Sequence, residues 1–89
     1  MKIVKNAVAG TLESSDAYVQ VSPNEAGIEI VLESVVLTQF GDAIKAPVME
    51  VLAENEVTNA TVSVNDRGAI DCTIRARVET ALQRAQGDN

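Results

Sequence analysis

The sequence predicts an α+β domain: a small, mostly antiparallel sheet of three to four strands, with two helices packed on one face. Three observations predict it. Short β-rich runs separated by turn residues occupy the first third. A period-3.6 apolar stripe fills the middle. A second helical stripe, studded with charges, ends the chain.

The strands come first. Residues 17–22 (AYVQVS) are β-rich and run into the turn cluster SPNEAG at 22–27. Residues 28–33 (IEIVLE) then alternate apolar and polar before closing on Val31 and Leu32. Proximity predicts a hairpin of 17–22 with 28–33. A further strand is expected within 3–9.

The middle is helical. Leu37, Phe40, Ile44, Val48, Val51 and Leu52 recur on one face. Ser34 or Thr38 is the expected cap. Pro47 removes one backbone donor, so the helix is expected to bend or split there. Residues 61–64 (TVSV) form another strand, and 65–68 (NDRG) a turn. After it, Ile70, Cys72, Ile74 and Ala76 alternate as a strand would. Ile70, Ile74, Val78, Ala81, Leu82 and Ala85 follow helical spacing. The longer helical set favours a helix over 70–86, with a return strand at its start as the alternative. On the alternating pattern Cys72 reads as a buried small hydrophobe.

The totals limit the function classes. The chain has 89 residues, one domain over 1–89 near the size at which a single core suffices. Hydrophobic residues make up 46%, yet Tyr18 and Phe40 are the only aromatics, so the core must come from Val, Ala, Ile and Leu. The formal charge is −6, which argues against phosphate-backbone binding and against anionic membrane, and suits a basic protein partner. One cysteine permits no disulfide within the chain, as expected of a cytoplasmic protein. No apolar run approaches the roughly 18 residues of a membrane helix, and the first residues have no signal-peptide pattern.

Catalytic chemistry has few candidates. The chain has no histidine, so Ser-His and Cys-His activation are closed to it. Lys2, Lys5 and Lys45 sit in no motif. The acid pairs Glu54 with Glu56, and Asp66 with Asp71, read as solvated surface. One cysteine and scattered carboxylates offer no metal-ligand spacing, and the five glycines form no phosphate loop. What remains is GTLESSD at 10–16. It reads either as a polar turn leading into a strand or as a loop whose serine accepts a modification. In the second case a separate enzyme supplies the base, and the missing histidine is no obstacle.

Three segments carry a resemblance: AVAGTLESSD at 7–16, QFGDAI at 39–44 and NDRGAIDCTIRARVE at 65–79. In order and spacing they resemble the acyl carrier (gamma) chain of citrate lyase over nearly the whole length. The resemblance implies a non-catalytic carrier with a covalently attached 2'-(5''-phosphoribosyl)-3'-dephospho-CoA arm. The arm is held through a phosphodiester on the serine matching Ser14, with Ser15 directly beside it. It further implies that the arm's thiol carries acetyl and citryl groups between a transferase (alpha) subunit and a lyase (beta) subunit. A dedicated transferase attaches the arm. The malonate decarboxylase carrier is the nearest other family, and an unmodified scaffold domain the reading from a different class. Glu13 and Asp16 are expected to help a basic enzyme surface recognise the loop. Arg75 and Arg77 are expected on a solvated helix face rather than against the arm's phosphates. Val-rich strand edges are compatible with self-association.

Overall fold

A computed structural model describes residues 1–34 and 37–87 of the chain, with side chains inside the first helix described from residue 43 onward. The elements in order are β1 (Ala7–Gly10), β2 (Ala17–Pro23), β3 (Ile28–Ser34), α1 (Leu37–Glu54), β4 (Ala60–Asp66) and α2 (Asp71–Ala85). They form an α+β domain. The sheet order is β1-β2-β4-β3. β1 pairs antiparallel with β2 and β2 antiparallel with β4, while β3 runs parallel to β4, so the sheet is mixed.

This order overturns the hairpin expected between 17–22 and 28–33, because β4 lies between β2 and β3. The burial patterns give the reason. Ala60, Val62, Val64 and Asp66 on β4 are all buried, and the intervening positions are half-buried. Such a strand is stable only in the middle of the sheet. β3 has no fully buried residue and carries Glu29 and Glu33, which suits an edge and discourages edge-to-edge pairing. The turn after β2 steers the chain across. Asn24 Nδ2 donates to Thr61 Oγ1 at 3.0 Å, and Asn59 Nδ2 donates to the Glu25 carbonyl at 3.0 Å. α1 then provides the long crossover that a parallel β3–β4 pair requires.

One sheet face is the core. Ala9, Ala17, Val19, Val21, Ala60, Val62 and Val64 are each at most 3% exposed. α2 covers β1 and β2 with Ile74, Val78, Ala81, Leu82 and Ala85. α1 packs beside it on α2 and β3. Alanines on β1, β2 and α2 let helix and sheet approach closely, which is how a core with so few aromatics still fills.

Two further expectations change. α1 does not split: it is continuous through Pro47, which is itself buried. Ile44, Val48, Val51 and Leu52 bury a continuous stripe on both sides of it, and that packing outweighs one missing backbone bond. Ser34 is the last residue of β3, and its hydroxyl donates to Asp66 Oδ2 at 2.8 Å; the residues that would show what caps the start of α1 lie outside the described residues. The side chains of Leu37, Thr38 and Phe40 lie outside the described residues. The expected strand within 3–9 is shorter and later, at Ala7–Gly10, because the amides of Val4 and Lys5 donate to the Ala85 carbonyl at the end of α2. The expected C-terminal helix is present from Asp71, with no return strand.

Candidate functional site: an exposed serine turn

The loop between β1 and β2 begins at a residue only glycine can occupy. Gly10 has φ +91°, and a Cβ there would lie 1.9 Å from the Ala17 carbonyl oxygen. From this closure the chain bulges outward and returns at Asp16. The Asp16 amide donates to the Glu13 carbonyl at 3.1 Å, which makes Glu13–Ser14–Ser15–Asp16 a β-turn with the two serines at its corners. Ser15, the third residue, has φ +68°, in the left-handed region.

Two sets of bonds hold the turn. The first is backbone: the Ser15 amide donates to the Arg67 carbonyl at 2.8 Å, and the Arg67 amide donates to the Asp16 carbonyl at 2.9 Å. These extend the β2–β4 ladder past its last pair, Ala17 with Asp66. The second converges on the Asp16 carboxylate. Arg77 of α2 donates Nε to Oδ1 at 2.9 Å and Nη2 to Oδ2 at 3.0 Å. Thr11 Oγ1 donates to Oδ2 at 2.6 Å, and the Ala17 amide donates to Oδ1 at 2.7 Å. Thr11 Oγ1 in turn accepts the Glu13 amide at 3.1 Å. The Arg77 bonds, then the Thr11 and Ala17 bonds, hold the Asp16 carboxyl well below the usual carboxylate range, and Asp16 pushes the Arg77 guanidinium up.

Asp16 is therefore a structural brace, not a free recognition charge, and Glu13 is the acid left exposed on the turn. Ser14 and Ser15 are both exposed, and neither hydroxyl has a hydrogen-bond partner among the described residues. Among the described residues no base touches them. The turn presents an unactivated hydroxyl, which an enzyme must activate from outside.

The remaining candidates separate from this turn. Arg75 is not a freely solvated side chain: its guanidinium bonds Glu50 at 2.6 Å and Glu54 at 2.9 Å, tying α2 to α1. Arg77 likewise is engaged rather than solvated. Cys72 is exposed, not buried. Once 71–85 is a helix, Ile74, Val78 and Leu82 define the inner face and the alternation that would have buried Cys72 does not apply. Asp66 is 2% exposed and so is no solvated acid; its carboxylate accepts the Ser34 hydroxyl and the Ala69 amide at 2.9 Å. Asp71 is exposed in the first turn of α2. The described residues hold no group of three potential metal ligands. A cleft of about 420 Å³, lined by residues including Met1, Lys2, Pro23 and Asn59, lies at the opposite end of the sheet from Ser14.

Sequence reasoning singled out the serine turn but missed its brace. Asp16 and Arg77 are 61 residues apart, and no local pattern links them.

Fold and turn together define a class: a small α+β domain that displays a serine hydroxyl at a braced turn and, among the described residues, brings no catalytic base to it. Comparison with known proteins narrows this. The family model described as "ACP: Malonate decarboxylase delta subunit (MdcD)" matches residues 4–85. Citrate lyase acyl carrier proteins are similar over nearly the full length. That of Rhodopseudomonas palustris (strain BisA53) is 52% identical over 96% of this chain and 88% of its own. That of Treponema denticola is 54% identical over 96% of this chain and 97% of its own. Citrate lyase acyl carrier protein 2 of Salmonella typhimurium is 54% identical over 96% and 89%. The chain belongs to the citrate lyase acyl carrier protein family, which places it among carriers rather than catalysts.

Proposed function

We propose that the chain is the acyl carrier subunit of a cytoplasmic citrate lyase, and that Ser14 is the point of covalent attachment of its arm. The observation that carries this is the turn. Ser14 is exposed at its first corner, its hydroxyl has no partner among the described residues, and its neighbours on both sides are fixed. Ser15 has its amide bound to Arg67 and its backbone in the left-handed region, so Ser14 is the freer of the two for an incoming active site.

The chemistry of the site fits a 2'-(5''-phosphoribosyl)-3'-dephospho-CoA group on Ser14. A phosphodiester needs only an accessible hydroxyl on the carrier. Ser14 Oγ attacks phosphorus of a phosphoanhydride donor, the Oγ–P bond forms, and the anhydride P–O bond breaks. The leaving phosphate takes the electron pair, and the hydroxyl proton passes to a base of the loading transferase. When bound, the group supplies the thiol on which acetyl and citryl units travel between the alpha (transferase) and beta (lyase) subunits. The domain's part is to hold the attachment point at a fixed place on a rigid turn, so that delivery becomes an intramolecular search at high effective concentration.

Peptide mass spectrometry of the protein from citrate-fermenting cells tests this reading. The adduct is expected on Ser14, with fragmentation excluding Ser15. An unmodified mass, with the loading enzyme demonstrably present, overturns it and leaves a scaffold domain. The malonate decarboxylase carrier is the second reading, favoured by the description of the matching family model. Co-purification with malonate decarboxylase rather than citrate lyase subunits would select it.

A further inference from the structure

Resting on that reading of Ser14, we propose that Arg67 is the residue on this chain that binds the phosphate of a phosphodiester carried by Ser14. The inference comes from where the positive charges are. The chain has seven lysines and arginines. Arg75 is held between Glu50 and Glu54, Arg77 is clamped on Asp16, and Arg84 donates to the Val8 carbonyl at 2.8 Å. Lys2 and the terminal ammonium lie at the far pole, the latter against the Glu56 carbonyl. Lys5 follows Val4 against the end of α2, and Lys45 lines a hollow with Ile28, at the start of β3 far from its Ser34 end. Of the seven, Arg67 alone lies exposed at the serine turn with a guanidinium that has no partner among the described residues.

Its backbone is fixed there by the two bonds that tie it to Ser15 and Asp16. The main chain of Arg67 is thus one hydrogen bond from the residue after Ser14, and no partner among the described residues holds its long side chain away from the turn. A guanidinium presents paired donors to phosphate oxygens. The local charge calls for such a group. Asp16 is neutralised by Arg77, which leaves Glu13 as an exposed negative charge directly beside the serine. An anion added to Ser14 meets Glu13 unfavourably unless Arg67 offsets it. The division of labour is then clear: Arg77 braces the turn, and Arg67 remains available to the ligand.

The test compares unloaded and loaded protein, the latter made by co-expression with the loading transferase. In the wild type, the Arg67 Nε–H resonance is expected to shift on loading while that of Arg84 stays in place. In loaded Arg67→Gln, the ³¹P resonance of the serine phosphodiester is expected to move from its wild-type position, and Arg67→Lys to restore part of the shift. Loading of Arg67→Gln is expected to show a KM about two- to fivefold higher, the range of an exposed ion pair, with kcat little changed. Arg67 uses only its backbone in the fold, so the variants are expected to fold as the wild type does. An unmoved Arg67 resonance with an unmoved ³¹P signal overturns the proposal. Slower loading with an unmoved ³¹P signal also overturns it, because Arg67 then meets the loading enzyme instead. A wild type that carries no adduct on Ser14 fails earlier and overturns the carrier reading itself.

Discussion

Arg77 and Asp16 meet through two parallel N–H···O bonds of 2.9 and 3.0 Å, joining the last helix to the loop before β2. Asp16 is only 14% exposed in its side chain and Arg77 is 40% exposed, so the pair closes the inner side of the serine turn while its rim stays wet.

This pair gives the fold an acid-sensitive brace. Its bonds lower the Asp16 pKa. A carboxylate depressed in the folded state stabilises the fold fully above the unfolded carboxylate range, near pH 4 to 5, and loses that contribution as pH falls toward its folded value. Asp16→Asn is therefore expected to lower stability at pH 7 and to flatten its decline below about pH 4. Urea melts at pH 7, 4 and 2.5 measure this; an unchanged acid slope would count against the brace. Arg77→Gln combined with Asp16→Asn is expected to be less damaging than the sum of the singles, because both break one interaction.

Gly10→Ala is expected to be among the most damaging single changes. The added Cβ meets the Ala17 carbonyl at 1.9 Å, and the atom that would have to move is backbone. A loss of roughly 3 kcal/mol or more, or failure to fold, is expected in thermal and chemical melts. A near-wild-type melting curve would show that the loop does not close as described.

The two serines should respond in opposite ways. Ser14→Ala is expected to leave stability within about 0.5 kcal/mol of wild type, since its hydroxyl bonds none of the described residues, and to remove the adduct. Ser15→Gly relieves a left-handed residue, is expected to match or exceed wild-type stability by up to about 1 kcal/mol, and keeps the adduct. Ser15→Val, β-branched at the same φ, is expected to destabilise. Calorimetry and intact mass on each variant decide the set.

Asp66→Ala removes a buried acceptor of the Ser34 hydroxyl and the Ala69 amide. Losing both bonds at this half-buried site costs about 1–3 kcal/mol, and that loss is expected in urea denaturation.

Cys72 offers the simplest check on the last helix. Its thiol is exposed, so it is expected to react with a thiol reagent in the native protein as fast as in a short peptide. Cys72→Ser should change stability by no more than about 0.5 kcal/mol. A thiol that reacts only after denaturant is added would restore the strand reading of 70–76.

By itself the sequence determined the fold class, the strand and helix runs, and the turn that displays Ser14. These are local properties. Alternation marks strands, a 3.6 period marks helices, and the mostly polar Gly–Thr–Leu–Glu–Ser–Ser–Asp run marks a turn. The tertiary structure decided which strands pair. β3 follows β2 closely, yet β4 displaces it, because only β4 has every alternate side chain buried and half-buried residues between them. That preference depends on what lies on the opposite faces, and no short window contains it. The roles of the charges were decided the same way. Asp16, Arg75 and Arg77 look like ordinary surface residues along the chain, and folding selects which of them meet. Cys72 and Asp66 exchanged places between core and surface for one reason each. The helix that replaced a strand turned Cys72 outward, and the central position of β4 drew Asp66 in.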